Sequence, residues 1–92
     1  ENIGSDNDWE VFQTNFDRIH EGFFRKLKAT YPDLTANDLK LCAFLRLNLS
    51  TKDIAHLMNI SVRGVEMGRY RVRKKLNISS EENLVEFMIE FK

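Results

Sequence analysis

The sequence predicts an all-α fold, a small helical bundle that contains a helix-turn-helix. Apolar residues recur at steps of three and four along most of the 92-residue chain. No stretch keeps the alternation of polar and apolar residues that is typical of a β-strand, and Ser, Thr or Asn stands at the ends of most apolar runs. A chain of this length can build one domain around one modest core.

The first element is an amphipathic helix predicted over residues 8–31. Pro32 should end it, because the residue before a proline avoids helical geometry. Residues 1–7 are polar or small apart from one Ile, and we expect a disordered lead there. The helix either folds back onto the domain or forms a dimer contact, including a coiled coil that continues from an upstream region. Its apolar stripe consists of Trp9, Phe12, Phe16, Ile19, Phe23 and Leu27.

The second helix is predicted to begin at Thr35, where Thr35-Ala-Asn-Asp38 resembles a capping box. Residues 39–47 are apolar nearly all round, which is typical of a helix at the centre of a core. Asn48 should end this helix, because Asn tolerates the left-handed conformation. Cys42 lies in the apolar run and is expected to be a small buried side chain.

Two further helices are predicted in close succession. Ser50 can cap a helix over Thr51–Met58, residues 59–60 make a turn, and Ser61 can cap a helix over Val62–Leu76. This arrangement is typical of a helix-turn-helix, whose second helix enters the DNA major groove.

A last helix is predicted over residues 81–91. It follows Asn77, which can take a left-handed closing position, and a second possible capping box at Ser79-Ser-Glu-Glu82. Its apolar side would carry Leu84, Val85, Phe87, Met88 and Phe91.

The positive charge of the chain is concentrated on the helix predicted over residues 62–76. The formal net charge of the whole chain is zero, but residues 61–78 hold six basic residues and one acid. Helical geometry places Val65, Val72 and Leu76 on one inward line, with Gly68 and Ser61 beside it. The bases should repel one another, and a phosphate backbone is the expected partner that relieves this repulsion.

Position along this helix suggests which residues would meet DNA, since residues near the start of a recognition helix reach furthest into the groove. Arg63 could contact guanine with two hydrogen bonds, and Met67 could touch a thymine methyl. Glu66 could accept from a cytosine amino group or hold Arg63 in place. The expected base-contacting residues are Arg63, Glu66, Met67 and Tyr70. The expected phosphate-contacting residues are Thr51, Lys52, Ser61, Arg71, Arg73, Lys74 and Lys75.

Residues 34–78 resemble the LuxR-type (GerE-like) helix-turn-helix domain of bacterial transcription regulators. Leu49-Ser50-Thr51-Lys52-Asp53-Ile54-Ala55 is similar to the family's Leu-Ser-x-Lys-Glu-Ile-Ala. Ile60-Ser61 followed by Val65 matches Ile-Ser-x-x-Thr-Val, and Val72 with Lys75-Leu76-Asn77-Ile78 matches Ile-x-x-Lys-Leu-Gly-Val. The chain departs from the family pattern at several positions. Asn48 and Asn77 replace glycines, Gly68 replaces a common His, and Glu66 stands where many members have a base-reading Lys.

The resemblance implies a four-helix domain over residues 34–92 that binds double-stranded DNA as a homodimer. In this family the last helix is often the dimer contact. The resemblance also implies that the domain is the C-terminal output domain of a larger regulator, such as a response regulator, with a sensor or receiver region upstream. The non-Met first residue fits a fragment of a longer chain.

Two other functions share the same features, namely a helical protein–protein adaptor with a basic face and a sigma-factor-like promoter-reading domain. We expect no enzymatic activity, cofactor or metal, because His20 and His56 lack ligand spacing and no phosphate loop or nucleophile motif is present. No apolar run approaches the roughly 20 residues that span a bilayer, so we expect no membrane contact by this fragment and a cytoplasmic location.

Overall fold

The computed structural model describes residues 6–92, which form six helices and no strand. They are α1 (Asp6–Ile19), α2 (Phe23–Thr30), α3 (Ala36–Arg46), α4 (Thr51–Met58), α5 (Val62–Leu76) and α6 (Leu84–Glu90). The all-α prediction is therefore confirmed. Of the lead predicted to be disordered, residues 1–5 lie outside the described residues, whereas residues 6 and 7 belong to α1. No helix in the described range has the length and apolar character needed to cross a membrane.

The prediction of a single helix over residues 8–31 is wrong, because two helices, α1 and α2, occupy this segment. Glu21 (φ 58°) and Gly22 (φ 78°) are both left-handed and separate α1 from α2. The carboxylate of Asp17 accepts a hydrogen bond from the backbone N–H of Phe24 at 2.7 Å and so caps the start of α2. The break also rotates the apolar stripe, so that Ile19 is 74% exposed while Phe24 is buried.

Both N-terminal helices pack onto the rest of the domain. Phe16, Phe23, Phe24 and Leu27 are buried in the common core, and Trp9 and Phe12 pack at its edge. The rings of Trp9 and Phe24 meet edge to face, with centroids 5.5 Å apart. Of the two arrangements considered for this segment, the chain therefore shows the one in which it folds back and enlarges the core.

Helix α3 lies at the centre of the domain and contacts α2, α5 and α6. The capping box predicted at its start is present: Thr35 Oγ1 accepts from the N–H of Asp38, and the Asp38 carboxylate accepts from the N–H of Thr35. Asn48 is left-handed (φ 61°), as predicted. Cys42 is fully buried, and burial raises the pKa of its thiol to about 12, so the thiolate is absent at neutral pH.

The predicted bounds of α4 and α5 are confirmed. These bounds could be predicted because local hydrogen bonds fix the start of each helix. Ser50 Oγ accepts from the N–H of Asp53 at 3.1 Å, and Ser61 Oγ accepts from the N–H of Gly64 at 2.9 Å. Asn59 (φ 58°) makes the left-handed turn between the two helices.

The last helix begins three residues later than predicted. Asn83, rather than Ser79, caps α6, since its side-chain oxygen accepts from the N–H of Glu86 at 3.0 Å. Ser79 instead closes a turn with Glu81 and Glu82. Arg46 of α3 anchors the C-terminal end of α6 by donating hydrogen bonds to the carbonyl oxygens of Met88 (2.6 Å) and Phe91 (3.0 Å).

Candidate nucleic-acid interface

Helix α5 turns its small and branched residues inward, as predicted. Val65, Gly68, Val72 and Leu76 are buried. A Cβ added at Gly68 would lie 3.0 Å from Leu41 Cδ2, so the glycine lets α5 approach α3 closely. Ser61 is exposed rather than turned inward, because its side chain is occupied by the cap at the start of the helix.

The four side chains expected to contact bases all lie exposed on the outward part of α5. These residues are Arg63, Glu66, Met67 and Tyr70. Met67 is 57% exposed and Tyr70 is 61% exposed. Within residues 6–92, no hydrogen bond or ion pair engages the side chains of Arg63 and Glu66. The fold therefore presents a continuous outward surface of one cation, one anion and two large apolar groups.

Lys74 extends this surface by one turn. Its ammonium lies 5.2 Å from the centroid of the Tyr70 ring, a cation–π distance. The contact places a positive charge beside an exposed aromatic ring, both on the face that points away from the core.

Arg71 and Lys75 of α5 contact a buried acidic residue of α3, Asp38. Asp38 was not among the site residues predicted from the sequence. Asp38 is fully buried, and its carboxylate accepts from Arg71 Nε at 3.1 Å and from Lys75 Nζ at 2.6 Å. The same carboxylate closes the capping box with Thr35. One side chain thus joins the start of α3 to the second half of α5.

The ionic state of Asp38 follows from these contacts. Burial by itself would raise the pKa of the carboxyl, but the hydrogen bonds from Lys75, Thr35 and Arg71 outweigh burial and hold the pKa below its usual value of 3.8. Asp38 is therefore charged at neutral pH, and it offsets part of the positive charge of α5.

Arg73 is also engaged within the chain. It donates to the carbonyl oxygens of Ser79 (3.0 Å) and Glu82 (2.6 Å) in the segment that leads to α6. Three of the four basic residues predicted to contact phosphates from α5 therefore have polar partners inside the domain, whereas the partner of Lys74 among residues 6–92 is the ring of Tyr70.

Helix α4 brings the remaining predicted phosphate contacts to the surface. Lys52 is exposed and Thr51 is half-buried in the first turn, where backbone N–H groups point outward. The start of a helix favours negative charge, so this turn suits a phosphate oxygen. Helices α4 and α5 pack against each other, and Lys52 in the first turn of α4 is exposed, as is the outward side of α5.

No group of His, Cys, Asp and Glu side chains suited to a metal ion occurs among residues 6–92. No curated protein and no solved structure matches the chain significantly. The family model described as bacterial regulatory proteins, luxR family, matches residues 34–88, which is more than half of the chain. The match begins after α2 and covers α3, α4 and α5. The chain therefore belongs to the luxR family of bacterial regulatory proteins, and its matched part is a DNA-binding domain of a transcription regulator.

Proposed function

We propose that the domain binds double-stranded DNA sequence-specifically, with α5 in the major groove, as the C-terminal output domain of a transcription regulator. The observation that carries this proposal is the uncovered outward side of α5, on which Arg63 lies beside Met67 and Tyr70. A guanidinium can read guanine O6 and N7, and exposed apolar side chains can contact thymine methyl groups.

Phosphate contacts would fix the orientation of α5 on the duplex without reading sequence. Lys52 and Thr51 in the first turn of α4, the exposed Ser61 and Lys74 are the groups best placed for this role. Arg71, Arg73 and Lys75 remain proposed phosphate contacts, but each would have to share its donors with a partner inside the domain. We therefore expect Lys74 and Lys52 to contribute more to phosphate binding than these three.

We further propose that the domain acts as a homodimer on a two-part site, under the control of a sensor or receiver region of the same regulator. Support for this part comes from membership of the luxR family alone. The prediction that α6 supplies the dimer contact belongs to this proposal.

The test is selection of bound duplexes from a random pool, followed by titration of the selected site and a scrambled duplex at several salt concentrations. Arg63→Ala should reduce discrimination between the two duplexes by about 1–3 kcal/mol, the value of a lost bidentate base contact. Arg18→Ala removes an exposed Arg of α1 and serves as the control. Sequence-blind, weak attraction that Arg63→Ala leaves unchanged would exclude the groove assignment and favour a protein-binding adaptor.

A further inference from the structure

Glu66 is the acidic residue of α5, and its side chain has no hydrogen-bond or ion-pair partner among residues 6–92. Arg63 and Arg69 lie three positions away on either side, a spacing at which ion pairs commonly form on a helix. Neither comes within salt-bridge distance of Glu66, and no other base in the described part of the chain does so. The structure therefore does not support the role of Glu66 as a side chain that holds Arg63 in place.

The contacts that hold the basic residues of α5 to the rest of the domain do not involve Glu66. Arg71 and Lys75 pair with the buried Asp38, and Arg73 is held by two backbone carbonyls. Glu66 instead lies exposed on the side of the helix that carries Arg63, Met67 and Tyr70. On a surface that approaches phosphates, an unpaired carboxylate weakens every non-specific complex through charge repulsion.

A carboxylate in the major groove is best stabilised by a base that presents an amino donor there without a neighbouring acceptor. Cytosine offers such a donor at N4, whereas adenine presents its N6 donor beside the N7 acceptor, which would repel a carboxylate. Residues three apart on a helix are about 4.5 Å apart along its axis, close to the roughly 3.4 Å between stacked base pairs. Glu66 and Arg63 can therefore reach the same base pair or adjacent ones.

We propose that Glu66 sets the sequence specificity of this domain by accepting a hydrogen bond from the N4 amino group of a cytosine, next to a guanine read by Arg63. The proposal rests on the proposed function, since it places α5 in the major groove. Duplexes that lack the cytosine leave the carboxylate desolvated and unpaired, so Glu66 rejects them rather than adding affinity for every sequence.

The decisive variant is Glu66→Gln, which has nearly the same shape and is at an exposed position. Glutamine pairs with adenine N6 and N7, so selection from a random pool should replace one cytosine of the consensus by adenine. Titration of four duplexes that differ at this position should show the wild type preferring cytosine, and the variant preferring adenine, on the order of tenfold to a hundredfold. Glu10→Gln removes an exposed acid of α1 and should select the wild-type consensus.

The design separates base reading from simple charge repulsion. If Glu66 acts only through its charge, Glu66→Gln will raise the affinity for all four duplexes by the same factor and leave the consensus unchanged, which overturns the proposal while the proposed function stands. If the wild type itself selects no consensus, the proposed function fails and this inference fails with it.

Discussion

Asp38 is the residue at which one substitution should most affect how α5 is held. Its buried carboxylate accepts hydrogen bonds from two cations of α5 and from the backbone at the start of α3. We expect Asp38→Asn to lower the free energy of unfolding by about 1.5–3 kcal/mol at pH 7, the usual range for a lost hydrogen bond to a charged group. Urea denaturation followed by circular dichroism measures this loss.

Asp33→Asn provides the matched control, because Asp33 is exposed in the loop between α2 and α3. The effect of Asp38→Asn should also depend on pH. The pKa of Asp38 is lower in the folded chain than its usual value of 3.8, so its contribution is complete above that value and is lost as pH falls through the folded pKa. The unfolding curves of the wild type and of Asp38→Asn should therefore converge in strong acid. Equal losses of stability from Asp38→Asn and Asp33→Asn at pH 7 would contradict the role given to Asp38.

His20 should make the stability of the domain depend on pH in the range just below neutrality. Its Nδ1 accepts a hydrogen bond from Arg46 Nε at 3.1 Å, which requires that nitrogen to be unprotonated. Burial and the nearby Arg46 charge lower the pKa of His20 below 6.5, and Asp17 opposes them in part. The contribution of His20 is therefore present above pH 6.5 and is lost as pH falls through the folded pKa.

We expect His20→Asn to reduce this pH dependence, since an amide oxygen can accept from Arg46 and does not titrate. The measurement is urea denaturation of both proteins at pH 7.5 and pH 5.5. His56 is present in both proteins and cancels in the comparison. An equal decrease in stability on acidification of the two proteins would assign the effect to other groups.

At the scale of elements, the close contact between α5 and α3 depends on the glycine at position 68, which has no side chain. A Cβ at Gly68 would lie 3.0 Å from Leu41 Cδ2, and Leu41 is itself buried. Overpacking of this kind costs about 1–3 kcal/mol, and the better helix propensity of alanine returns roughly 1 kcal/mol. We expect Gly68→Ala to lower the free energy of unfolding by about 1 kcal/mol. Gly64→Ala, whose Cβ would have 3.3 Å to Ser61 Oγ, should change it less; the opposite order would show that α5 and α3 can separate without cost.

The elements also show which parts of the fold the sequence could predict. The ends of α4 and α5 were predictable, because Ser50, Ser61, Asn59 and Asn77 act on backbone groups only a few residues away. The end of α1 was not, because apolar spacing of three and four continues across Glu21, a non-glycine residue in the left-handed region. The start of α6 was misplaced since two capping sequences lie in succession and tertiary packing selects the later one.

The proposed site was predictable only in part, for a related reason. Helical periodicity places Arg63, Met67 and Tyr70 outward, and the structure agrees. Periodicity cannot show that Arg71 and Lys75 find a carboxylate 33 and 37 residues earlier in the chain. The capping box at Thr35 was the available signal for Asp38, but a cap predicts a local role and normally leaves the carboxylate near solvent.

At the scale of the whole molecule, the core extends beyond the segment that matches the luxR family. Phe16, Phe23, Phe24 and Leu27 are buried and precede residue 34. Burying each such side chain contributes about 1.5–3 kcal/mol, and their sum is comparable with the total stability of a small domain. We expect residues 34–92 alone to lose the cooperative thermal transition of the full chain, as measured by circular dichroism. A fragment that melts at the same temperature as the full chain would show that α1 and α2 are accessory.

The carboxylate beneath α5 also bears on how fast such a regulator could find its target. A genome offers on the order of 10⁶–10⁹ competing positions, and residence on each of them is governed by attraction to the phosphates. If α5 binds DNA as proposed, Asp38 should shorten every stay at a wrong position, because it compensates the charges of Arg71 and Lys75 without occupying the proposed base-contacting residues. Less time lost on irrelevant DNA means that fewer copies per cell are needed to keep a promoter occupied.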